Sequence, residues 1–331
     1  MDPNDPSPLQ HDHLPPPPLP TVYAGPSSAT QFRQQQAFQG QGAAPQPPQM
    51  PQPPQLPLPH QMQPAPMLQQ DAWSSRLQRL QQLAMRYEIR PDWVAKLRQL
   101  EAFRLVMVLD DSGSMNTHCA PGPGAPPRGP YAPPTTRWTE LCSSVSAVVE
   151  LAAALNDEGV DCYFLNRPPV LRATAASQVQ AAFAYAPPNG YTPLARVTQG
   201  VLDTYRGSLG ERRLLLVIAT DGQPTDDVGN VNIPAFLRLL RSKGPNVYVQ
   251  IMACTDDDDS VAWLNEADRD IPLVDVTDDF FSERSEVLKA QGANFHFTPG
   301  DYLVKALLGP IDPYFDGLDE PKGGSGSCAV A

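Results

Sequence analysis

The stretch "VMVLDDSGSM", Val106 to Met115, is a short apolar run that breaks into two aspartates, two serines and a glycine. Its polar end has two registers. Asp111-Ser112-Gly113 is the D-S/T-G triplet of a hydrolase that activates water between paired carboxylates. Asp110-x-Ser112-x-Ser114 is a spacing that brings a carboxylate and two hydroxyls toward one hard cation. The apolar half, too short for a helix and bounded by polar residues, is the pattern of a strand buried on both faces.

That pattern recurs. The opening run belongs to "FRLVMVL", and "VDCYFL", "RRLLLVIA", "VYVQIMA" and "IPLVDV" are further apolar runs of strand length. Between them lie segments of helical periodicity: "RWTELCSSVSAVVELAAALND", "SQVQAAFAYA", "PLARVTQGVLDTYRG", "IPAFLRLLRSKG", "DSVAWLNEADR" and "SERSEVLKAQG". Strand–helix alternation of this kind predicts an α/β fold with a mostly parallel sheet and helices on both faces.

Composition divides the 331 residues unevenly. Residues 1–70 hold about half of the 40 prolines and runs such as "LPPPPLP" and "PQPPQMPQPPQLPLP", with almost no charge. So little branched or aromatic side chain cannot offset the entropy of ordering the backbone, which predicts a disordered tail with polyproline character. Residues 71–102 form two helical segments, the second opening with Pro91 where a missing N–H costs nothing. They are expected to pack on the domain at 103–310. Residues 311–331 are expected to be a flexible tail.

Nearly all of the net charge of −12 falls on the folded part. It offers no basic footprint for nucleic acid, and an anionic membrane would repel it. The five cysteines, at 119, 142, 162, 254 and 328, show no zinc or CxxC spacing, and the acidic, proline-rich first residues, with no apolar h-region, set the expectation of no signal peptide. The longest apolar runs fall short of a bilayer span. A reducing, cytoplasmic setting is the expectation.

In an open α/β sheet, ligands bind beyond the carboxyl ends of the strands. Asp110, Ser112 and Ser114 follow one strand, Asp221 in "ATDGQPTD" follows another, and Thr192 in "NGYTPLA" stands at the head of a helix. Two carboxylates and three hydroxyls, with no histidine or thiol, suit Mg²⁺ or a similar hard ion rather than zinc. Each piece also has a plainer role: the serines as turn caps, Thr192-Pro193 as a helix start, Asp221-Gly222 as a turn. Only the conjunction is specific.

"DDSGSM", "GYTPL" and "ATDGQPTD" resemble, in order, the three loops of the metal-ion-dependent adhesion site of von Willebrand factor A (vWA) domains. The resemblance spans about residues 103–310. It implies a Rossmann-like, doubly wound sheet with one short antiparallel edge strand. It further implies Mg²⁺ (or Mn²⁺ or Ca²⁺) contacted by the hydroxyls of Ser112, Ser114 and Thr192, with Asp110 and Asp221 acting mainly through water. The partner is then a protein presenting Asp or Glu to the metal. Asp111 becomes the variable residue between the ligands.

The hydrolase register finds no support elsewhere. A second D-S/T-G is missing, and neither His118 nor His296 lies in a catalytic motif. A metal-dependent hydrolase using the same cation is the competing class, and it lacks a general base. An accessory subunit of an ATP-driven complex is a third, which no sequence feature separates from simple docking. "TDDDDS", Thr255 to Ser260, is expected to cap a helix starting near Val261. The segment 116–136 is long for a loop in a compact domain and is expected to rim the metal face and select the partner. Cys328-Ala329-Val330-Ala331 fits a C-a-a-X prenylation box, which would give weak, reversible membrane attachment. The proline-rich tail offers an SH3- or WW-like domain a second surface.

Overall fold

The computed structural model describes residues 67–119, 135–209 and 212–320. Two units divide the chain, Met1–Met62 and Gln63–Ala331, and every described residue belongs to the second. The expected disordered tail up to residue 66, most of the 116–136 insertion and the C-a-a-X box lie outside the described residues.

Two helices, α1 (Met67–Arg86) and α2 (Pro91–Val94), and a 3-10 segment Ala95–Ala102 lead into β1 (Phe103–Leu109). A 3-10 turn Gly113–Asn116 and α3 (Arg137–Leu155) follow, then β2 (Val160–Phe164), β3 (Val170–Ala173), α4 (Ala176–Tyr185) and α5 (Leu194–Tyr205). The second half runs β4 (Arg213–Thr220), α6 (Ile233–Arg241), β5 (Val247–Ala253), α7 (Asp258–Val261), α8 (Leu264–Asp270) and β6 (Val274–Thr277). It closes with α9 (Phe280–Gln291), α10 (Pro299–Leu308) and α11 (Pro313–Asp316).

The six strands form one sheet in the order β3-β2-β1-β4-β5-β6, parallel throughout except for β3, which runs antiparallel on β2. This is the mixed α/β, mostly parallel sheet expected from the alternating runs. Side chains alternate across a strand, so each central strand feeds two cores. From β1, Leu105, Met107 and Leu109 enter one, with α3 and α10, while Val106 and Val108 enter the other, with α5, α6 and α8. The order turns back at β1: chain elements after β1 build outward through β2, then return to β4 on its other side. The crevice between the carboxyl ends of β1 and β4 is therefore the topological switch point.

Several elements differ from expectation. The lead-in begins before residue 71, because α1 starts at Met67; its Leu80, Trp93 and Leu97 are buried in the same core as α3. Helix α3 is long and apolar enough to cross a membrane by composition alone, contrary to the expectation that no run was, but it is a core helix with Val145, Val149 and Leu151 fully buried. The segment "DSVAWLNEADR" splits into α7 and α8. Residues 311–320, expected as tail, are folded, with Phe315 and Leu318 buried against Trp93 and the core. Helix α10, which the apolar patterning left unassigned, is buried at every position from Gly300 to Leu308. Complete burial removes the polar face that makes a helix legible.

Candidate metal centre

Asp110 stands immediately past β1, where register sets Leu109 beside Ala219 of β4. Its carboxylate is fully buried. Oδ1 accepts from the backbone N–H of Ser112 at 2.9 Å, an Asx-turn that curls the chain toward the crevice. Oδ2 accepts from the Thr220 hydroxyl at 2.7 Å, so the end of β4 holds the end of β1. Among the described residues both of these partners are neutral. Burial first, and the neighbouring Asp221 carboxylate second, push its pKa up to about 6, against the opposing hydrogen bonds from Ser112 and Thr220.

The two serines are not caps. Ser112 precedes the 3-10 turn without a side-chain bond to its backbone, and its Oγ lies 3.0 Å from Ser114 Oγ. Ser114 Oγ donates to Asp221 Oδ1 at 2.7 Å. Asp221 is itself 2 % exposed, one residue beyond β4. A continuous line of side-chain oxygens thus runs from Ser112 through Ser114 to Asp221, with Asp110 behind it.

Thr192 arrives by a different route. It is not the cap of α5, whose N-cap position is taken by Pro193 without any side-chain bond. Its N–H donates to Thr225 Oγ1 at 3.0 Å, and its carbonyl accepts from Thr225 and Leu194 N–H groups. The loop just before it is tied to the serine loop: Gly113 N–H to Gly190 O at 3.2 Å, Asn116 Nδ2 to Pro188 O at 2.7 Å. Gly190 adopts φ +109°, and a Cβ there would fall 2.6 Å from Asn166 Oδ1. Among the described residues, Thr192 makes no direct hydrogen bond with the other four; the shared loop contacts set its place.

Asp111 has a different role from the one its position implied. It is buried, its Oδ2 accepts from Arg167 Nε at 2.6 Å, and its Oδ1 accepts from Asn166 N–H and Nδ2. Asn166 Nδ2 also donates to Tyr191 O at 2.8 Å, and Asp111 O accepts from Asn189 N–H. Arg167 lies over Trp138 and donates to the Ala182 and Ala186 carbonyls. Asp111 is therefore the peg that joins the β1 loop to the Thr192 loop.

Arg137, the first residue of α3, was also missed. Its Nη1 donates to Asp221 Oδ2 at 2.9 Å and its Nη2 to Thr255 Oγ1. Thr255, the first residue of the acidic "TDDDDS" run, thus faces the site, while Asp257 takes the N-cap position of α7 and accepts from Ser260 Oγ at 2.7 Å. That helix begins at Asp258, three residues earlier than expected.

No family model matches the chain, and no curated protein matches it by sequence. Among solved structures it is similar to manganese-loaded TRAP protein of Plasmodium vivax, at 14 % identity and TM-score 0.34, over 57 % of this chain and 72 % of that one. It is also similar to the pilus adhesin SpaC of Lactobacillus rhamnosus GG, at 16 % identity and TM-score 0.35, over 62 % of this chain and 31 % of that one.

The donor set fits a hard divalent ion on two counts. Adjacent ligands of an octahedral ion bound at about 2.1 Å lie about 3 Å apart, close to the Ser112–Ser114 hydroxyl separation of 3.0 Å. The one guanidinium bonded within the cluster goes to Asp221, which leaves Asp110 without a cationic partner among the described residues. A buried charge of that kind is costly unless a cation balances it.

Proposed function

We propose that this chain is a non-catalytic protein-interaction module of the vWA type. It holds Mg²⁺, or Mn²⁺ or Ca²⁺, among Asp110, Ser112, Ser114, Thr192 and Asp221, and a partner's Asp or Glu completes the coordination. The observation that carries this reading is the line of oxygens Ser112–Ser114–Asp221 beside buried Asp110, at the switch point of the sheet. With three neutral hydroxyls among five donors, the ion keeps much of its charge for an external carboxylate. Tethering through prenylated Cys328, recruitment of SH3- or WW-like domains by the 1–70 tail, partner selection by the 116–136 segment and a cytoplasmic location belong to the same proposal.

Titration of the full chain with Mn²⁺, followed by electron paramagnetic resonance of the free ion, tests the metal. Wild type should bind one ion and Asp110→Ala none; equal binding by both proteins would remove the site. Affinity capture with Mg²⁺ against EDTA then identifies partners lost both by chelation and by Asp110→Ala. Mass spectrometry of the C-terminus in native-cell protein tests Cys328: an unmodified cysteine with the last three residues intact refutes the lipid.

A further inference from the structure

Arg137 places a permanent positive charge inside the oxygen cluster. Its side chain is 14 % exposed, and its guanidinium spans Asp221 on one side and Thr255 on the other. The backbone beneath it is fixed. Arg137 N–H donates to Thr117 O at 3.0 Å, next to a bridge between His118 and Thr136, so the two roots of the 120–134 segment set where the side chain begins. Helix stability does not account for an arginine there. A cation in the first turn opposes the helix dipole, and the α3 capping box is completed by Thr136 and Thr139 without it.

Charge gives this placement a consequence. Asp111 is paired with Arg167 and drops out of the balance. Asp110, Asp221 and Arg137 together carry −1; a divalent ion brings the cluster to +1. With a neutral residue at 137 the same loaded cluster is electroneutral. Whatever other charges surround it, the difference made by Arg137 is one full positive charge against the metal-facing carboxylate.

Resting on the metal-bridged reading above, we infer that Arg137 is a specificity-setting residue. As a built-in cation it weakens the site's hold on the divalent ion. In return it leaves the loaded site one unit more positive than a neutral residue would, so that the open coordination position prefers an external carboxylate over neutral oxygen donors such as water or hydroxyls. Asp221 is the fulcrum: one oxygen takes the Ser114 hydroxyl and the other takes Arg137.

The test uses the full chain with Mn²⁺ alone, then Mn²⁺ with sodium acetate as the carboxylate probe, read by paramagnetic resonance and water-proton relaxation. Arg137→Gln should bind Mn²⁺ about tenfold more tightly and acetate about tenfold more weakly. Arg137→Met, a second neutral replacement, should reproduce both shifts, whereas Arg137→Lys, which keeps the charge, should stay near wild type. A merely structural role predicts the opposite sign for the metal, since a loosened site binds Mn²⁺ less well. Unchanged or weaker Mn²⁺ binding by both neutral variants overturns the inference, as does tighter Mn²⁺ with unaltered acetate affinity, or a lysine variant that behaves like glutamine. Asp221→Asn separates the two readings. Where wild type binds Mn²⁺ and Asp221→Asn does not, a negative result at Arg137 sinks this inference alone; where wild type binds none, the metal reading falls with it.

Discussion

Asp111 Oδ2 and Arg167 Nε meet at 2.6 Å, both nearly removed from solvent, and through this ion pair the loop after β1 is fastened to the segment between β2 and β3. The aspartate that opens a hydrolase-like triplet in the sequence has both its carboxylate oxygens taken up by Arg167 and Asn166. It is a structural charge, and its partner is chosen by tertiary proximity.

Breaking one side of a buried pair leaves the other charge uncompensated. Asp111→Ala should therefore lower unfolding free energy by about 3–5 kcal/mol in urea titrations, while Arg167 loses its anchor and the Asn166 contacts to Tyr191 loosen. Mn²⁺ affinity should fall with it although Asp111 touches no metal. A variant as stable as wild type would show that the pair contributes nothing to the loop's position.

Asp110 gives the site a pH signature. Its folded pKa of about 6 lies above the 3.8 of an unperturbed aspartate, so the folded protein holds this proton more tightly than the unfolded chain does. The metal-free protein should lose stability as pH rises from about 4 through 6, by an amount of order 3 kcal/mol from this group. Metal needs the ionised form, so Mg²⁺ affinity should rise over the same interval. Asp110→Asn should flatten both profiles. Thermal melts at pH 4 and 7, with and without Mg²⁺, decide it.

The lead-in helices meet α10 at Gly300, where a Cβ would stand 2.0 Å from Tyr87 O and 2.8 Å from Ile89. Arg90 N–H donates to Asp301 Oδ1 and Thr298 Oγ1 to Glu88 O across the same junction. Gly300→Ala should cost about 1–3 kcal/mol by overpacking and expose residues 86–92 to limited proteolysis. Cleavage as slow as in wild type would mean that the junction yields without opening.

Lys305, on α10, is fully buried, with Nζ 2.9 Å from Glu283 Oε1 and 3.2 Å from Asp319 Oδ2. Lys305→Met should cost about 3–5 kcal/mol by stranding Glu283, and adding Glu283→Leu should recover much of it. Simple additivity in a double-mutant cycle would show that the two side chains act independently.

Which parts were legible follows from the range of the interactions. β1, β4 and β5 announce themselves because burial on both faces demands continuous apolar runs, a local property of the chain. The five candidate ligands stood out by residue type and order, and hydrogen bonds link four of them, Asp110, Ser112, Ser114 and Asp221. The short antiparallel edge strand that the resemblance implied is β3, but "VLRA" has four residues with only Ala173 buried, so no residue pattern marked its place. Residues 311–318 did not read as part of the domain because the burial of Phe315 rests on Trp93, more than 200 residues away in sequence.

By itself, then, the sequence determined the alternating architecture and the oxygen-rich chemistry at the strand ends, since both are written in short-range composition. Only the tertiary structure decided that Asp111 belongs to Arg167 and that Arg137 belongs to Asp221. Those pairings are long-range and electrostatic. A lone aspartate or arginine in a polar loop looks the same in sequence whether it ends in water or inside the fold, and its neighbour is set by which strands the sheet brings side by side.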